Sequence, residues 1–351
     1  MKKIITIIGT RPEIIKMFPV IKELDNKFNQ ILVWSGQHFS SDMFEKIFKD
    51  VNLRKPDFSV EIKGKRSNQF FELQKKLFKI INKEKPNAII YHGDTLTTLS
   101  ASIIPYTYLH HIKKIHIEGG YRSTDKGQSE ERLRYISDHM SDYIFVQRKD
   151  DKINLKKEGI NKNVFVVGNS INDSIRLISK KKQNNKFKSN YVLCTIHRQE
   201  NVNNKIRFQK ILKIVNYISK SYKVIFSIHP RTKKEIYKNN YYLSKNVKII
   251  NPTKYSVLIN LIKNSNFILS DSGGIQEESV ILKKQCLVPL DFTPHSFYLG
   301  KKSNILLDLS LNQLKKILNY IEKNKKYKGN FKHGKNVSKK ISSILLKKLN
   351  D

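Results

Sequence analysis

Residues 3–16 read KIITIIGTRPEIIK. The apolar run 3–8 predicts a short buried strand, and Gly9 permits the tight turn that ends it. Pro12 is typical of the first turn of a helix, because the N–H that proline lacks would have no partner there. The segment therefore predicts a strand that passes directly into a helix, which is the repeating unit of parallel α/β sheets.

The same alternation of short apolar runs and amphipathic segments continues along the chain. Runs that alternate with helices in this way imply a parallel sheet covered on both faces. Strands are predicted at Lys3–Ile8, Gln30–Trp34, Ala88–Tyr91, Lys114–Ile117, Tyr143–Val146, Val164–Val167, Tyr191–Thr195, Lys223–Ile228, Val247–Ile250, Phe267–Leu269 and Gln285–Val288. Helices are predicted between them, for example at Ile15–Lys27, Asn68–Ile81 and Thr97–Leu109.

The polar, basic stretch Ser179–Asn190 interrupts this pattern and predicts a linker or surface loop. The fold class is therefore α/β, with two doubly wound, Rossmann-like domains facing a cleft. We predict an N-terminal domain over residues 1–168 and a C-terminal, nucleotide-binding domain over residues 169–351. A last helix near residues 337–349 has one apolar face and could pack on either domain.

The net charge first suggests a nucleic-acid-binding protein. The 351 residues include 67 Lys and Arg against 30 Asp and Glu, a formal charge of +37, while a hydrophobic content of 39% excludes a wholly disordered chain. However, 11 of the basic residues are Arg and 56 are Lys. Arg is the residue preferred for bidentate contacts to phosphates and bases. The excess is therefore interpreted as solvated surface charge, and no nucleic-acid partner is predicted.

The cysteines and the hydropathy exclude other classes. Cys194 and Cys286 each lie in an apolar stretch and are predicted to be buried, reduced thiols outside any zinc site. The apolar start of the chain is too short for a signal peptide, and no run approaches the roughly 18 apolar residues of a membrane helix. We expect a cytoplasmic protein without membrane insertion.

Two basic residues follow the first strand. Arg11 and Lys16 lie in the first turns of the predicted helix, where backbone N–H groups without helical partners favour an anion. The alternative is an ordinary strand-to-helix turn with solvated charges. We favour a phosphate site, because Arg is scarce in this sequence.

Carboxylates collect at the ends of two later strands. Asp94 and Glu118 each follow an apolar run, and Glu130 lies four positions before Arg134. Taken singly, Asp94 could cap a helix and Glu130–Arg134 could be a simple helical pair. Together they suit proton transfer at an unactivated carbon, since burial and mutual repulsion raise carboxylate pKa values toward neutrality.

In the second half, polar groups again follow strands. His197 and His229 each end a strand and have Arg198 and Arg231 close by in sequence, without the spacing of a metal site. Residues 270–278 read SDSGGIQEE, a strand end followed by a Ser-Gly-Gly turn and a helix. Such a turn lets backbone N–H groups approach a diphosphate closely. The residues predicted to bind there are Ser272, Gly273, Gly274 and, on the ribose, Glu278.

These segments, in this order, resemble the non-hydrolysing UDP-N-acetylglucosamine 2-epimerases, a family with the two-domain glycosyltransferase-B architecture. The matching segments are GTRPEIIK (9–16), SGQH (35–38), HGDT (92–95), HIEGGYR (116–122), the Glu130–Glu131 pair with Arg134, IHRQEN (196–201) and DSGGIQEES (271–279). The resemblance implies a reaction that needs no cofactor or metal. UDP is eliminated to give a 2-acetamidoglucal, which is protonated on the opposite face before UDP adds back.

The resemblance also implies the residue roles. Proton handling falls to Asp94, Glu118 and Glu130, while Arg11, Lys16, Arg134 and His197 hold the sugar and stabilise charge on the diphosphate. A homodimer acting in polysaccharide synthesis, with a second substrate site near Gln37 and His38, is a further implication.

Some positions depart from the family. Residues 290–298 retain only Asp291 and Thr293 of the usual motif, Leu258 stands where an aromatic often stacks on uracil, and Ser129 replaces a proline. A related substrate, such as a diacetamido sugar nucleotide, therefore stays open. The alternatives are a hydrolysing relative that releases UDP and free sugar, and a glycosyltransferase on the same fold.

Overall fold

The computed structural model describes residues 1–36, 41–60, 62, 66–123, 129–180, 190–293, 303–324 and 334–350. Contacts between Cα atoms divide the chain into two compact units. Unit 1 comprises Met1–Leu177 and His333–Asp351, and unit 2 comprises Ile178–Lys332. Within the described residues, no helix combines the length and the apolar character needed to cross a membrane.

Strands and helices alternate through both units. The strands are β1 Lys3–Ile8, β2 Asn29–Trp34, β3 Phe58–Ser59, β4 Ala88–His92, β5 Lys113–Gly119, β6 Tyr143–Val146, β7 Val164–Val166, β8 Tyr191–Thr195, β9 Lys223–Ser227, β10 Val247–Ile250, β11 Ile268–Ser270, β12 Cys286–Val288 and β13 Asn304–Leu306. The helices are α1 Arg11–Asp25, α2 Ser41–Val51, α3 Arg66–Glu84, α4 Leu96–Tyr108, α5 Ser129–His139, α6 Lys149–Lys157, α7 Ile171–Ser179, α8 Gln199–Val202, α9 Lys205–Ile218, α10 Pro230–Lys238, α11 Tyr255–Asn264, α12 Gly273–Ile281, α13 Leu311–Lys323 and α14 Val337–Asn350.

Unit 1 is built on a seven-stranded sheet in the order β3-β2-β1-β4-β5-β6-β7. All of its strand pairs are parallel. The chain winds outward in one direction from β1 to β3 and then returns to place β4 on the other side of β1. The loops that follow β1 and β4 therefore diverge at a topological switch point, where open α/β sheets bind their ligands.

Unit 2 repeats this topology with six strands in the order β10-β9-β8-β11-β12-β13, again all parallel. Alternate residues of β8 pack into two different apolar clusters, Val192 and Cys194 on one face and Tyr191 and Leu193 on the other. The sheet is therefore covered on both faces, as the uninterrupted apolar runs predicted. The prediction of two doubly wound α/β domains is confirmed.

Both thiols lie in unit 2. Cys194 and Cys286 are fully buried and unpaired with each other, as predicted. Burial raises the pKa of each thiol, so both groups remain protonated and serve as small apolar side chains.

The division of the chain lies at residues 177/178, later than the 168/169 boundary predicted from sequence. Side-chain hydrogen bonds explain why α7 belongs to unit 1. Ser174 Oγ donates to the carbonyl oxygen of Ile15 at 2.5 Å, and Asp173 accepts from the backbone N–H and the hydroxyl of Ser338 at 2.9 and 2.8 Å. The last helix, α14, packs on α1 of unit 1, where Lys27 Nζ donates to Ser342 Oγ at 2.9 Å.

Candidate active site

The loop after β1 is held tightly at the switch point of unit 1. A Cβ atom placed on Gly9 would lie 2.1 Å from Ser35 Oγ and 2.3 Å from Thr97 Oγ1, so this position accepts only glycine without rearrangement. Ser35 and Thr97 are themselves hydrogen-bonded at 2.7 Å. Ser35, directly after β2, and Thr97 of α4 therefore fix the turn that the sequence predicted.

Glu13, which the sequence analysis did not assign, connects the two loops of the switch point. Its buried carboxylate accepts from the backbone N–H groups of Gly9 at 2.5 Å and Thr10 at 3.0 Å, and from Thr95 Oγ1 at 2.7 Å. The bond from the N–H of Thr10, the N-cap residue, is one half of a capping box at the start of α1, and the Thr10 side chain facing the Glu13 backbone N–H is the other half. Burial raises the pKa of Glu13 although these donors oppose the shift.

Glu118, at the end of β5, forms an ion pair with Lys16 of α1. The two carboxylate oxygens lie 2.7 and 2.9 Å from Lys16 Nζ, and His92 Nε2 lies 3.2 Å from Oε2. The backbone of Glu118 has a φ of 70°, a left-handed conformation that glutamate rarely adopts and that concentrates at functional sites. Burial alone would raise the pKa of this carboxyl, but Lys16 and His92 hold it well below its ordinary value.

Asp94, in the loop after β4, is paired with Arg134 of α5 through Nη2. The guanidinium also contacts Glu131 Oε2 at 3.3 Å and lies over the ring of Tyr121, 5.0 Å from its centroid. Burial lowers the pKa of Arg134 to about 10, against the opposing effect of Asp138. Arg134 therefore stays positively charged at neutral pH in a largely dehydrated position.

The adjacent carboxylates Glu130 and Glu131 have different environments. Glu131 accepts from the backbone N–H of Ser123 at 3.0 Å and from Arg134, and burial raises its pKa. Glu130 is exposed in the first turn of α5 and accepts from Ser129 Oγ at 2.9 Å. The simple helical pair that was the alternative for Glu130 and Arg134 is formed by Glu131 at i,i+3 instead, which leaves Glu130 outside the contacts of the guanidinium.

A buried hydrogen-bonded network lies behind these loops. His116 Nδ1 contacts Asp138 Oδ1 at 2.8 Å, and its Nε2 donates to the carbonyl oxygen of Gly93 at 2.8 Å. Asp138 also accepts from the N–H of Gly120 at 3.0 Å and from Arg122 Nη1 at 2.9 Å. Burial alone would raise the pKa of Asp138, but His116 and Arg122 lower it. The two ring nitrogens of His116 thus face a carboxylate oxygen and a carbonyl oxygen, which fixes the ring between Asp138 and Gly93.

The network continues through Arg122, whose Nε and Nη2 donate to Oε1 and Oε2 of Glu158 at 2.7 and 2.6 Å. Through Gly93 and Gly120 it fixes the backbone next to Asp94 and Glu118. The network therefore comprises His116, Asp138, Arg122 and Glu158.

In unit 2, a single buried carboxylate organises the loop after β8. Asp271 accepts from the backbone N–H of His197 and of Arg198 at 3.0 Å, and from Asn201 Nδ2 at 2.9 Å. His197 Nδ1 lies 3.0 Å from Asp271 Oδ1. The ring is thus anchored through Nδ1 while its side chain remains 40% exposed.

His229, at the end of β9, presents the opposite nitrogen. Its Nδ1 accepts from the backbone N–H of Arg231 at 3.2 Å, and its ring centroid is 5.9 Å from that of His197. Desolvation, together with the nearby His197 and Arg231, lowers the pKa of His229. The ring is therefore neutral at physiological pH and carries its proton on Nε2, as a donor.

The helix α12 begins at the carboxyl end of β11. Ser272 is its N-cap residue and makes no side-chain hydrogen bond to its own helix, and Gly273 and Gly274 form the first turn. A Cβ on Gly274 would meet nothing within 4 Å, so this turn has open space in front of it. Glu278, one turn further, is 4% exposed. The N-terminus of α12 thus has the geometry that favours an anion.

Comparison with known proteins shows which proteins this chain is similar to. The family model of UDP-N-acetylglucosamine 2-epimerase matches residues 22–346. The chain belongs to this family. It is 36% identical over 353 residues to UDP-N-acetylglucosamine 2-epimerase of Methanocaldococcus jannaschii, which covers 95% of this chain and 96% of the relative. It is 32% identical over 301 residues to UDP-2,3-diacetamido-2,3-dideoxy-D-glucuronate 2-epimerase of Pseudomonas aeruginosa, covering 83% and 84% of the two chains.

A solved structure agrees with these sequence matches. The M. jannaschii UDP-GlcNAc 2-epimerase, in complex with UDP-GlcNAc and UDP, superposes with a TM-score of 0.84 and 34% identity over 98% of this chain and 99% of that one. The predicted family, the glycosyltransferase-B-type fold and the isomerase class are thereby confirmed.

Within this UDP-N-acetylglucosamine 2-epimerase family member, the predicted residues fall into two groups. Unit 1 brings together Lys16 with Glu118 and Asp94 with Arg134, while Arg11 is half-buried at the first position of α1. Unit 2 brings together His197 and His229, and places Ser272, Gly273, Gly274 and Glu278 on α12. Gln37 and His38 lie outside the described residues. The expectation that the clustered carboxylates have raised pKa values is wrong for Glu118, because cations rather than carboxylates surround it.

Sequence reasoning missed the residues that hold the catalytic candidates in place, among them Glu13, His92, Asp138 and Asp271. His92 and Asp271 lie inside motifs already noted, so their position at strand ends was an available signal. Among the described residues, no group of three or more His, Cys, Asp or Glu side chains is arranged to hold a metal ion.

Proposed function

We propose that this epimerase interconverts UDP-N-acetylglucosamine and UDP-N-acetylmannosamine by elimination and re-addition of UDP. The observation that supports this most directly is the pair of ion pairs Lys16–Glu118 and Asp94–Arg134 at the ends of adjacent parallel strands, in a chain of this family. It offers carboxylates for proton transfer next to cations for a departing diphosphate.

The proposed reaction balances in two steps. A carboxylate removes the C2 proton, the C2–H electrons form the C1=C2 bond, and the C1–O bond breaks with its electrons going to UDP. The 2-acetamidoglucal then receives a proton at C2 on the opposite face while a UDP oxygen bonds to C1. Inversion at C2 thus needs proton-handling groups on both faces of the ring, for which we propose Asp94, Glu118 and Glu130.

The remaining candidates would bind the nucleotide and the sugar. We propose that Arg11, Lys16 and Arg134 contact the sugar and the diphosphate from unit 1 elements. In unit 2, the N-terminus of α12 with Ser272, Gly273 and Gly274 would bind phosphate, and Glu278 the ribose. His197 Nε2 is proposed to stabilise charge on the leaving group, and His229 to donate a hydrogen bond to the nucleotide.

Glu130 and Glu131 provide a matched test of the proton-handling set. Because Glu131 is already bound to Ser123 and Arg134, we assign it to positioning and keep Glu130 as the substrate-facing carboxylate. We expect Glu130→Gln to lower kcat by about 10²-fold or more with little change in KM, and Glu131→Gln to lower thermal stability and affect kcat and KM together. Steady-state kinetics and unfolding midpoints of the two variants decide this. The opposite pattern would reverse the two roles.

The function itself is tested by incubating the protein with UDP-N-acetylglucosamine in D2O and following products by NMR. We expect UDP-N-acetylmannosamine and deuterium at C2 without any added acceptor, which a glycosyltransferase would not give. Stoichiometric free UDP without UDP-N-acetylmannosamine would identify a hydrolysing enzyme instead. A parallel incubation with a UDP-2,3-diacetamido sugar tests the substrate suggested by the P. aeruginosa relative and by the altered loop after β12.

We further propose that the enzyme acts in the cytoplasm as a homodimer, without cofactor, metal or nucleic-acid partner, and supplies a 2-acetamido sugar nucleotide for surface polysaccharide synthesis. The family resemblance supports the dimer and the pathway. Light scattering of the purified protein would give twice the monomer mass of 41.1 kDa if the dimer is correct.

A further inference from the structure

Two groups with separate tasks in the proposed reaction are bound to each other in the structure. Lys16, proposed to contact the diphosphate, has its ammonium within 2.9 Å of both oxygens of Glu118, which is proposed to handle the C2 proton. Their side chains are 12% and 18% exposed, so water screens this ion pair little. A carboxylate held in this way is a poor proton acceptor, because protonation would break a well-formed buried pair.

The surroundings of Glu118 show which cation can be withdrawn. Within the described part of the chain, its basic neighbours come from two elements, Lys16 from α1 and His92 from the end of β4. His92 is 4% exposed and is fixed on the sheet, with Glu13 among its electrostatic neighbours. Lys16 instead has a long, flexible side chain on the helix whose N-terminus is proposed to face the diphosphate.

A sugar nucleotide brings a competitor for this lysine. Its diphosphate carries two negative charges, whereas Glu118 carries one, so the ammonium of Lys16 is attracted more strongly to the diphosphate at equal distance. An ammonium that moves a short distance from carboxylate to phosphate keeps all of its protons, and no covalent bond is made or broken.

We propose that Lys16 is a substrate-exchanged counter-ion: it neutralises Glu118 before substrate binds and transfers to the diphosphate on binding, so that Glu118 becomes able to accept a proton only in the loaded site. This inference rests on the proposed function, since it takes a sugar nucleotide as the ligand. As a consequence, one movement of Lys16 both frees Glu118 to accept the C2 proton and places a positive charge on the leaving diphosphate.

The exchange predicts that ligand binding is linked to proton uptake. Once Lys16 leaves, the buried Glu118 carboxylate holds a proton more tightly, while UDP-N-acetylglucosamine, a diphosphate diester, has no ionisation of its own in mildly acidic solution. Isothermal titration calorimetry of the whole protein with UDP-N-acetylglucosamine, at about pH 5 in two buffers of different ionisation enthalpy, counts the protons. We expect an uptake of roughly half a proton per site in the unmodified protein.

Three variants isolate the source of that proton. Glu118→Gln should lose the uptake and bind the ligand several-fold more tightly, because Lys16 no longer has to leave a carboxylate. Lys16→Met should also lose the uptake, with weaker binding. Lys114→Met is the matched control: Lys114 forms an equally close pair with Asp142, at 2.7 Å, at the opposite end of β5. It should retain the uptake of the unmodified protein.

The outcomes separate the inference from the function. Clear binding without proton uptake, or an uptake that Glu118→Gln leaves unchanged, would overturn the exchange while leaving the epimerase proposal intact. Weaker binding by Glu118→Gln would also overturn it, since that result means the carboxylate assists binding rather than competing with the ligand. Absence of binding to the unmodified protein would instead overturn the proposed function, and the inference with it.

Discussion

Asp94→Asn is expected to reduce the epimerisation rate by about 10²- to 10⁴-fold, the range of a lost acid–base group, while UDP still binds. The amide keeps the size of the carboxylate and can still accept a hydrogen bond from Arg134, but it cannot take or deliver a proton at neutral pH. Deuterium incorporation at C2 and calorimetric titration with UDP measure the two effects separately. We expect Glu118→Gln to lose turnover to a similar extent.

Asp142→Asn is the matched control for this prediction. Asp142 also forms an ion pair with a basic residue, Lys114, but at the end of the unit 1 sheet away from the switch point. We expect its turnover to stay within about twofold of the unmodified enzyme, because this pair lies at the other end of β5 from Glu118 and, among the described residues, contacts none of the candidate site residues. Near-normal turnover in Asp94→Asn would show that Asp94 holds Arg134 without transferring protons.

Asp138→Asn should destabilise unit 1 by about 3–5 kcal/mol, the typical cost of removing one partner from a buried ion pair. The substitution leaves His116 and Arg122 without their shared carboxylate and places an amide against the N–H of Gly120. Trp34, the single tryptophan of the sequence, lies in β2, so its fluorescence during urea unfolding reports on unit 1. Asp57→Asn, in a more exposed pair with Arg54, should cost less than about 1 kcal/mol.

The stability difference between the unmodified protein and Asp138→Asn should also depend on pH, which gives a second measurement. The pKa of Asp138 is lower in the folded protein than in the unfolded chain, so its stabilising effect is fully present above the unfolded value of about 3.9. It is lost as the pH falls below that value and through the lower folded pKa. The unmodified protein and Asp138→Asn should therefore converge in stability in acid. A gap that stays constant would mean that Asp138 acts through packing instead.

Most of the fold could be predicted from the sequence, because most strands inside the two sheets contain a short apolar run that alternates with amphipathic helices. The strands missed were β3 and β13, which are two and three residues long and lie at sheet edges. Edge strands need little apolar sequence, since one side of each faces solvent or a loop. The contact-based division falls after residue 177 rather than after residue 168, because the bonds of α7 to Ile15 and Ser338 join residues more than 150 positions apart.

The candidate site was predictable in its composition but not in its pairing. Asp94, Glu118 and the N-terminus of α12 lie at strand ends, as their places after apolar runs predicted. The sequence could not show that Lys16, 102 positions before Glu118, would reach its carboxylate and reverse the expected direction of its pKa shift. Nor could helical spacing alone decide between Glu130 and Glu131 as the partner of Arg134, because i,i+3 and i,i+4 neighbours are both within reach.

The packing of α14 on α1 has a consequence for biosynthesis. Because ribosomes make the chain from its N-terminus, all of unit 2 is translated after α7 and before the helix that completes unit 1. The surface of α1 that α14 covers must therefore wait, uncovered, while about 150 residues emerge and fold as an insertion. A nascent chain of this topology presents an apolar surface to chaperones in the middle of translation, even though its two sheets each form from contiguous sequence.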